Sequence, residues 1–239
     1  MHQDQRHAGG LDDRRRSIYD WRDRVRNPSL TVLLVTEICL IFVAAPLTAR
    51  GLPIARPIVE ALALAVLALV VVLSRRRGAI VTIVLGLVAT FASRLLGPEW
   101  VPIAVSFLRH GGNIVTFSAL TWVVLHAVYA PGRITFHRLQ GAVVLYLNVA
   151  VICASAFSLF WVLSPAAFAT LAATTAGPDE FATMLYFSLT TLTTTGYGDI
   201  VPVDPFARSL ANLESVIGQF YLAITVARLV TLEMEHRSR

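Results

Sequence analysis

The stretch Thr193-Thr194-Thr195-Gly196-Tyr197-Gly198-Asp199 decides the fold. Two glycines sit at alternate positions behind a run of threonines. Successive backbone carbonyls point to one axis only if the chain alternates its handedness, and glycine enters the positive-φ region at least cost. Gly196 and Gly198 are spaced for that alternation. The carbonyls of Thr194, Thr195, Gly196 and Tyr197 would then line one axis, and the Thr194 hydroxyl would add the innermost oxygens. Tyr197 would point away and brace the strand. In a soluble loop a Gly-Tyr-Gly would mean little, so its surroundings matter.

The surroundings read as membrane. The 239 residues are 56% hydrophobic and 15% charged, against about 25% charged in a soluble domain. A spanning helix needs about 20 mostly apolar residues. That ruler gives six candidate spans, at 30–47, 57–74, 79–96, 113–130, 142–164 and 209–227. The third is the weakest, because Arg94 falls near its end. The stretch 99–112 carries Pro102 and the polar cluster Arg109-His110-Gly111-Gly112, with Pro98 beside it. It reads either as a loop or as an early start of the fourth helix.

All 20 basic residues are arginine, and the net charge is +5. The arginines cluster at the ends of apolar runs, which argues for membrane orientation and against a nucleic-acid partner. An even number of spans puts both termini on one side, with 15 arginines there and 5 on the other. The positive-inside rule assigns that side to the cytoplasm, and the expected location is the inner (plasma) membrane. The first 27 residues hold seven Arg and no apolar core, so they are not a signal peptide. That Arg run is a possible contact for anionic membrane lipid, weakened by five interspersed Asp. Cys39 and Cys153 lie inside apolar runs and read as packing residues rather than a disulfide or metal pair.

Between the fifth and sixth spans, 165–208 is too long for a turn and too apolar for a solvated loop. Gly177-Pro178-Asp179-Glu180 has the Pro and acids of a helix start. A helix over 181–193 is too short to span, and Gly-rich backbone follows it, which reads as a re-entrant loop. Its C-terminal partial negative charge would favour a cation. A ring of backbone carbonyls contributed by several chains can replace the hydration shell of a potassium ion.

With Thr191-Leu192-Thr193-Thr194-Thr195-Gly196-Tyr197-Gly198-Asp199, Pro202 and the last span, the chain resembles the potassium channel family in its bacterial six-span, single-pore-loop form. Tyr186 and Phe187 match the aromatic pair of that family's pore helix, and Gly218 stands where its inner helix carries a hinge glycine. The resemblance covers about 142–230. It implies K+ ions, as permeant ligand and not as cofactor, at Thr194, Thr195, Gly196 and Tyr197 of a filter that includes Gly198. It also implies fourfold assembly into a homotetramer and neither an enzyme nor a small-molecule substrate. Thr195 departs from the usual Val or Ile, and Thr190 stands where some members carry a buried Glu, so Asp199 lacks that partner.

The expected fold is an all-α membrane protein: six spanning helices, a re-entrant pore helix and a filter loop. The chain divides into a tail (1–28), a four-helix scaffold (29–130), a linker (131–141), a pore domain (142–232) and a short end (233–239). Within the pore domain the pore helix is expected at 179–193, the filter at 194–199 and the inner helix at 206–232. Only Arg109 falls in 102–130, too few for a voltage sensor. No ligand-sensing domain is expected after the sixth span. Intramembrane acids are functional candidates by default: Glu37 near mid-span, Glu60, and Glu214 one turn before Gly218. Glu37 reads as an ion or proton sensor, or else as a neutral or paired acid. Glu214 reads as a hydrogen bond to the pore helix or as cavity lining. Gly218 reads equally as hinge or as close-packing residue. Trp122 and His126 read as interfacial or core residues, and Gln219 and Thr225 as possible cavity residues.

Overall fold

The computed structural model describes residues 30–52, 54, 58–59, 61–62, 65–66, 77–95, 102–129, 136–169 and 180–237. The tail 1–28, most of 57–74 with Glu60, residues 131–135, Gly177-Pro178-Asp179 and 238–239 lie outside them.

Six helices organise the described residues: α1 (Leu30–Ala49), α2 (Arg77–Leu95), α3 (Pro102–Val128), α4 (Phe136–Leu163), α5 (Glu180–Leu192) and α6 (Pro205–Arg237). Four of their segments, Leu30–Ala49, Ile103–Val128, Phe136–Leu163 and Pro205–Arg228, are long and apolar enough to cross a membrane. The apolar part of α2 is the shorter Gly78–Ser93. The only strands among the described residues are β1 (Phe168–Ala169) and β2 (Val201–Pro202), paired antiparallel. That ladder ties the chain leaving α4 to the chain entering α6.

Several boundaries differ from the sequence reading. The stretch 99–112 is helical from Pro102, so the fourth span starts there and not at 113. Proline at a first helical position loses no bond, because that N–H has no partner in the helix. Gly111 and Gly112 do not break α3, and Gly112 packs. A Cβ on Gly112 would lie 2.6 Å from Gly86 O, and one on Gly86 would lie 2.8 Å from Gly112 O. Two backbones this close need small residues at the crossing. The fifth span begins at Phe136, so 136–141 is helix and not linker. The short helix α5 runs Glu180–Leu192 rather than 179–193, with Thr193 in a turn. The last helix runs Pro205–Arg237 rather than 206–232.

α1 carries a π-helical turn, Leu40–Ala44, immediately before Pro46, and Ala45 N–H donates to Leu40 O. Pro46 has no N–H to donate to Phe42, and the wider turn absorbs that missing bond. Asp204 starts α6: its Oδ1 accepts from Phe206 N at 2.8 Å and Ala207 N at 3.1 Å, with Pro205 at the first helical position. This is the preferred arrangement for a helix N-terminus. The core sits among α1, α3, α4 and α5, around Leu33, Leu120, Val124, Val144, Phe157 and Met184, all fully buried.

Candidate functional site

The loop after α5 begins by turning back on its own helix. Thr195 N donates to Thr190 O at 2.8 Å and Gly196 N donates to the same oxygen at 3.2 Å. Two loop amides thus occupy a carbonyl that the helix leaves free. Beyond the turn the backbone has positive φ at Thr194 (57°), Gly196 (53°) and Gly198 (78°). Every second residue is left-handed, with Thr195 and Tyr197 between. Glycine reading finds two of these positions. Thr194 is the third, a non-glycine residue held there at some cost.

The end of α5 is gripped from both neighbouring helices. Tyr146 of α4 donates its hydroxyl to Leu192 O at 3.1 Å, and Ser215 of α6 donates to Thr191 O at 3.2 Å. Gly218 lies flush against Leu192: an added Cβ would collide with the Leu192 carbonyl oxygen and lie 3.1 Å from its carbon. Of the two readings of Gly218, this contact supports close packing. Tyr146 and Ser215 carry no local signal in the sequence, since their partners lie 46 and 24 residues away.

The aromatic pair has two separate tasks. Tyr186 stacks on Tyr197, centroids 6.3 Å apart and planes 2° from parallel. Its hydroxyl also donates to Asp199 Oδ2 at 2.8 Å. Asp199 therefore has a partner, supplied by Tyr186 and not by position 190. Asp199 Oδ1 accepts from Ile200 N at 3.1 Å. Phe187 does not reach the loop. It is buried in a cluster with Phe157 (4.9 Å) and Phe168 (5.6 Å), which anchors α5 to α4 and β1. Thr190 supports the loop through its carbonyl, while its hydroxyl donates to Phe187 O at 2.9 Å within the helix.

The threonine hydroxyls are occupied too. Thr195 Oγ1 lies 2.9 Å from Thr193 Oγ1, and Thr193 donates to Leu189 O at 2.7 Å. Thr194 donates to Thr193 O at 2.7 Å and accepts from Gln219 Nε2 of α6 at 3.2 Å. Gln219 is thus placed under the start of the loop, whereas the Thr225 hydroxyl is buried. Residues 193–199 are exposed along the protomer's surface, Tyr197 by 71%.

Glu214 is fully buried behind α5. Ser188 Oγ lies 2.8 Å from Ala150 O and 2.5 Å from Glu214 Oε1. One hydroxyl hydrogen cannot serve both acceptors. The chain of three closes when Glu214 carries its proton and donates to Ser188, which donates to Ala150 O. This links α4, α5 and α6, and it is the hydrogen-bonding role of Glu214 rather than cavity lining. At the other end of α5, His110 Nε2 lies 3.5 Å from Glu180 Oε1, and its ring stacks on Phe181 at 6.3 Å. Trp122 is 53% exposed and pairs with His126 at 4.5 Å, so neither is a core residue. Glu37 is buried on α1.

Residues 144–235, which hold α5, the loop, most of α4 and nearly all of α6, match the family described as ion channel. That family is one of ion channels and not of enzymes. The chain is also similar to the inward rectifier potassium channel Kirbac3.1 of Paramagnetospirillum magnetotacticum, 36% identical over 52 residues. Those residues are 22% of this chain and 18% of that protein, so the chain spans under a fifth of its relative's length. No solved structure matches the chain. The fold and these similarities point to a multi-pass, mostly helical membrane protein whose residues 144–235 are similar to an ion-channel domain.

Proposed function

We propose that the chain is one subunit of a homotetrameric potassium-selective channel of the inner membrane, with six spans and both termini cytoplasmic. Potassium passes down its gradient through rings of backbone carbonyls from Thr194, Thr195, Gly196 and Tyr197, with the Thr194 hydroxyl as the innermost ring. Gly198 turns the strand at the outer mouth. Fourfold symmetry follows because one strand supplies one quarter of each oxygen ring. α5 is the re-entrant pore helix, α4 the outer helix and α6 the inner helix.

The observation that carries this reading is the alternation of positive φ at Thr194, Gly196 and Gly198 immediately after the short helix Glu180–Leu192. An ordinary strand sends successive carbonyls to opposite sides, while this alternation turns them to one side. The wedge of Tyr186 and Tyr197, and the clasp of Tyr146, Ser215 and Gly218 on the end of α5, hold the strand in that geometry. With only Arg109 among residues 102–130, conventional voltage gating does not belong to this reading.

A weakly selective cation channel is the second reading, because Thr195 places a hydroxyl behind the strand. The pairing of that hydroxyl with Thr193 at 2.9 Å favours the selective reading, since the strand then keeps a polar brace of its own. Unitary currents from the purified protein in planar bilayers are the test. Potassium currents that stop when Gly196 is replaced support the proposal. A complete absence of currents from the intact protein sinks it and favours a transporter or scaffold.

A further inference from the structure

We infer that Glu37, Thr121 and Asn148 surround one buried site for a single monovalent cation, set between α1, α3 and α4 and separate from the candidate filter.

The three residues are brought together by helix register. At the cytoplasmic-side end of the bundle, a Cβ on Gly141 of α4 would lie 2.5 Å from Val128 of α3 and 3.5 Å from Leu30 of α1. Thr31 of α1 fixes the same level: its hydroxyl lies 2.9 Å from His137 Nδ1 and donates to Gln140 Oε1 at 2.6 Å on α4. From that meeting point α1 and α4 run outward together, and α3 runs back beside them. Seven residues are two helical turns, about 10.5 Å of rise and only about 20° of rotation. Seven residues outward from Leu30, Val128 and Gly141 stand Glu37, Thr121 and Asn148. Helix register therefore places all three at one level, on the face of the contact below them.

The orientation of Asn148 is fixed independently. The pore side of α4 is marked by Tyr146 bonding Leu192 O, by Ala150 O accepting from Ser188, and by Phe157 on Phe187. Asn148 is two residues from both Tyr146 and Ala150, which places it about 160° round the helix from each. It faces the scaffold, toward α1 and α3.

At this level the buried polar atoms are unpartnered. Glu37 is 1% exposed and Asn148 is 0% exposed. Both oxygens of Glu37, both polar atoms of Asn148 and the Thr121 hydroxyl are buried without a hydrogen-bond partner. Each such group is costly in an apolar interior, and a charged carboxylate more so. Three orphans on three helices at one level point to a shared occupant. The donors are all hard oxygens, and the Glu37 carboxylate would bring one unit charge when it ionises against a bound cation. That set suits an alkali cation. A calcium-type site draws six to eight oxygens, commonly from several carboxylates. No group of three or more His, Cys, Asp or Glu that could hold a metal ion occurs among the described residues, which argues against a transition metal. The inference does not rest on conduction and stands even if the chain passes no current.

The test uses the intact purified protein. Thermal unfolding is followed while NaCl, or separately KCl, replaces N-methyl-D-glucamine chloride at fixed pH and ionic strength. Wild type is compared with Glu37→Gln and Asn148→Leu, both of which leave residues 193–199 untouched. Any stabilisation through the loop is therefore common to all three proteins. For at least one cation, wild type should show a saturable rise in midpoint whose half-saturating concentration increases about tenfold or more in each variant. Should Glu37→Gln fail to fold, Asn148→Leu and Thr121→Val carry the comparison. Equal cation responses in wild type and variants, for both ions, overturn the site and leave Glu37 a neutral buried acid.

Discussion

The backbone of Gly218 on α6 lies against the carbonyl of Leu192, the last residue of α5, with no room for a side chain between them. α6 is therefore registered on the end of α5 at this contact, one turn from Glu214. Tyr146 reaches the same carbonyl oxygen from α4. The base of the candidate filter hangs from this three-helix junction.

Gly218→Ala should consequently act on stability. Forcing a methyl group into a packed junction costs about 1–3 kcal/mol, and thermal unfolding of the purified protein should fall accordingly. A glycine serving only as a hinge would leave the midpoint unchanged and alter gating alone.

Tyr186→Phe keeps the stack on Tyr197 and deletes the hydrogen bond to Asp199. The bond is solvent-exposed in the protomer, so only a small loss of stability is expected. Its signature should be faster decline of current under sustained conduction. Asp199→Asn should give a similar decline, and the double variant should be no worse than either single one. Additive effects would separate the two residues.

These relations differ in how legible they are from the sequence. The alternation in the loop is legible because glycine spacing is a local, covalent constraint. Thr194 at φ 57° shares it without any residue signature. The clasp on α5 depends on Tyr146 and Ser215, whose polar groups look like any others in an apolar run until the helices meet. Gly112 belongs to a stretch that reads as a loop by propensity, but packing against α2 decides its role. Likewise Thr190 invited comparison with a buried acid, although the partner of Asp199 sits one helical turn earlier, at Tyr186. Glu214 was marked by its cost in the membrane, and only the positions of Ser188 and Ala150 turned that cost into a specific bond.

Glu214→Gln should be tolerated, because the amide is neutral and can still donate to Ser188. Glu214→Ala should lose about 2–4 kcal/mol, from the cavity and from the broken chain to Ala150. Chemical denaturation of the two variants in detergent checks the order. Equal losses in both would mean that the charged carboxylate itself is required.

Gly196→Ala places a side chain at φ 53°, in the region that L-residues rarely occupy. Nothing lies within 4 Å of its Cβ position in the protomer, so the folded protein should persist while the strand geometry changes. Surface expression and chromatographic size should match wild type with unitary current abolished. Retained current would count against the carbonyl-ring account.

The most direct test is the reversal potential of the purified protein in a bilayer with potassium on one side and sodium on the other. The account predicts reversal far from zero, near the limit set by potassium alone. A reversal near zero would contradict potassium selection by the Thr194–Tyr197 carbonyls.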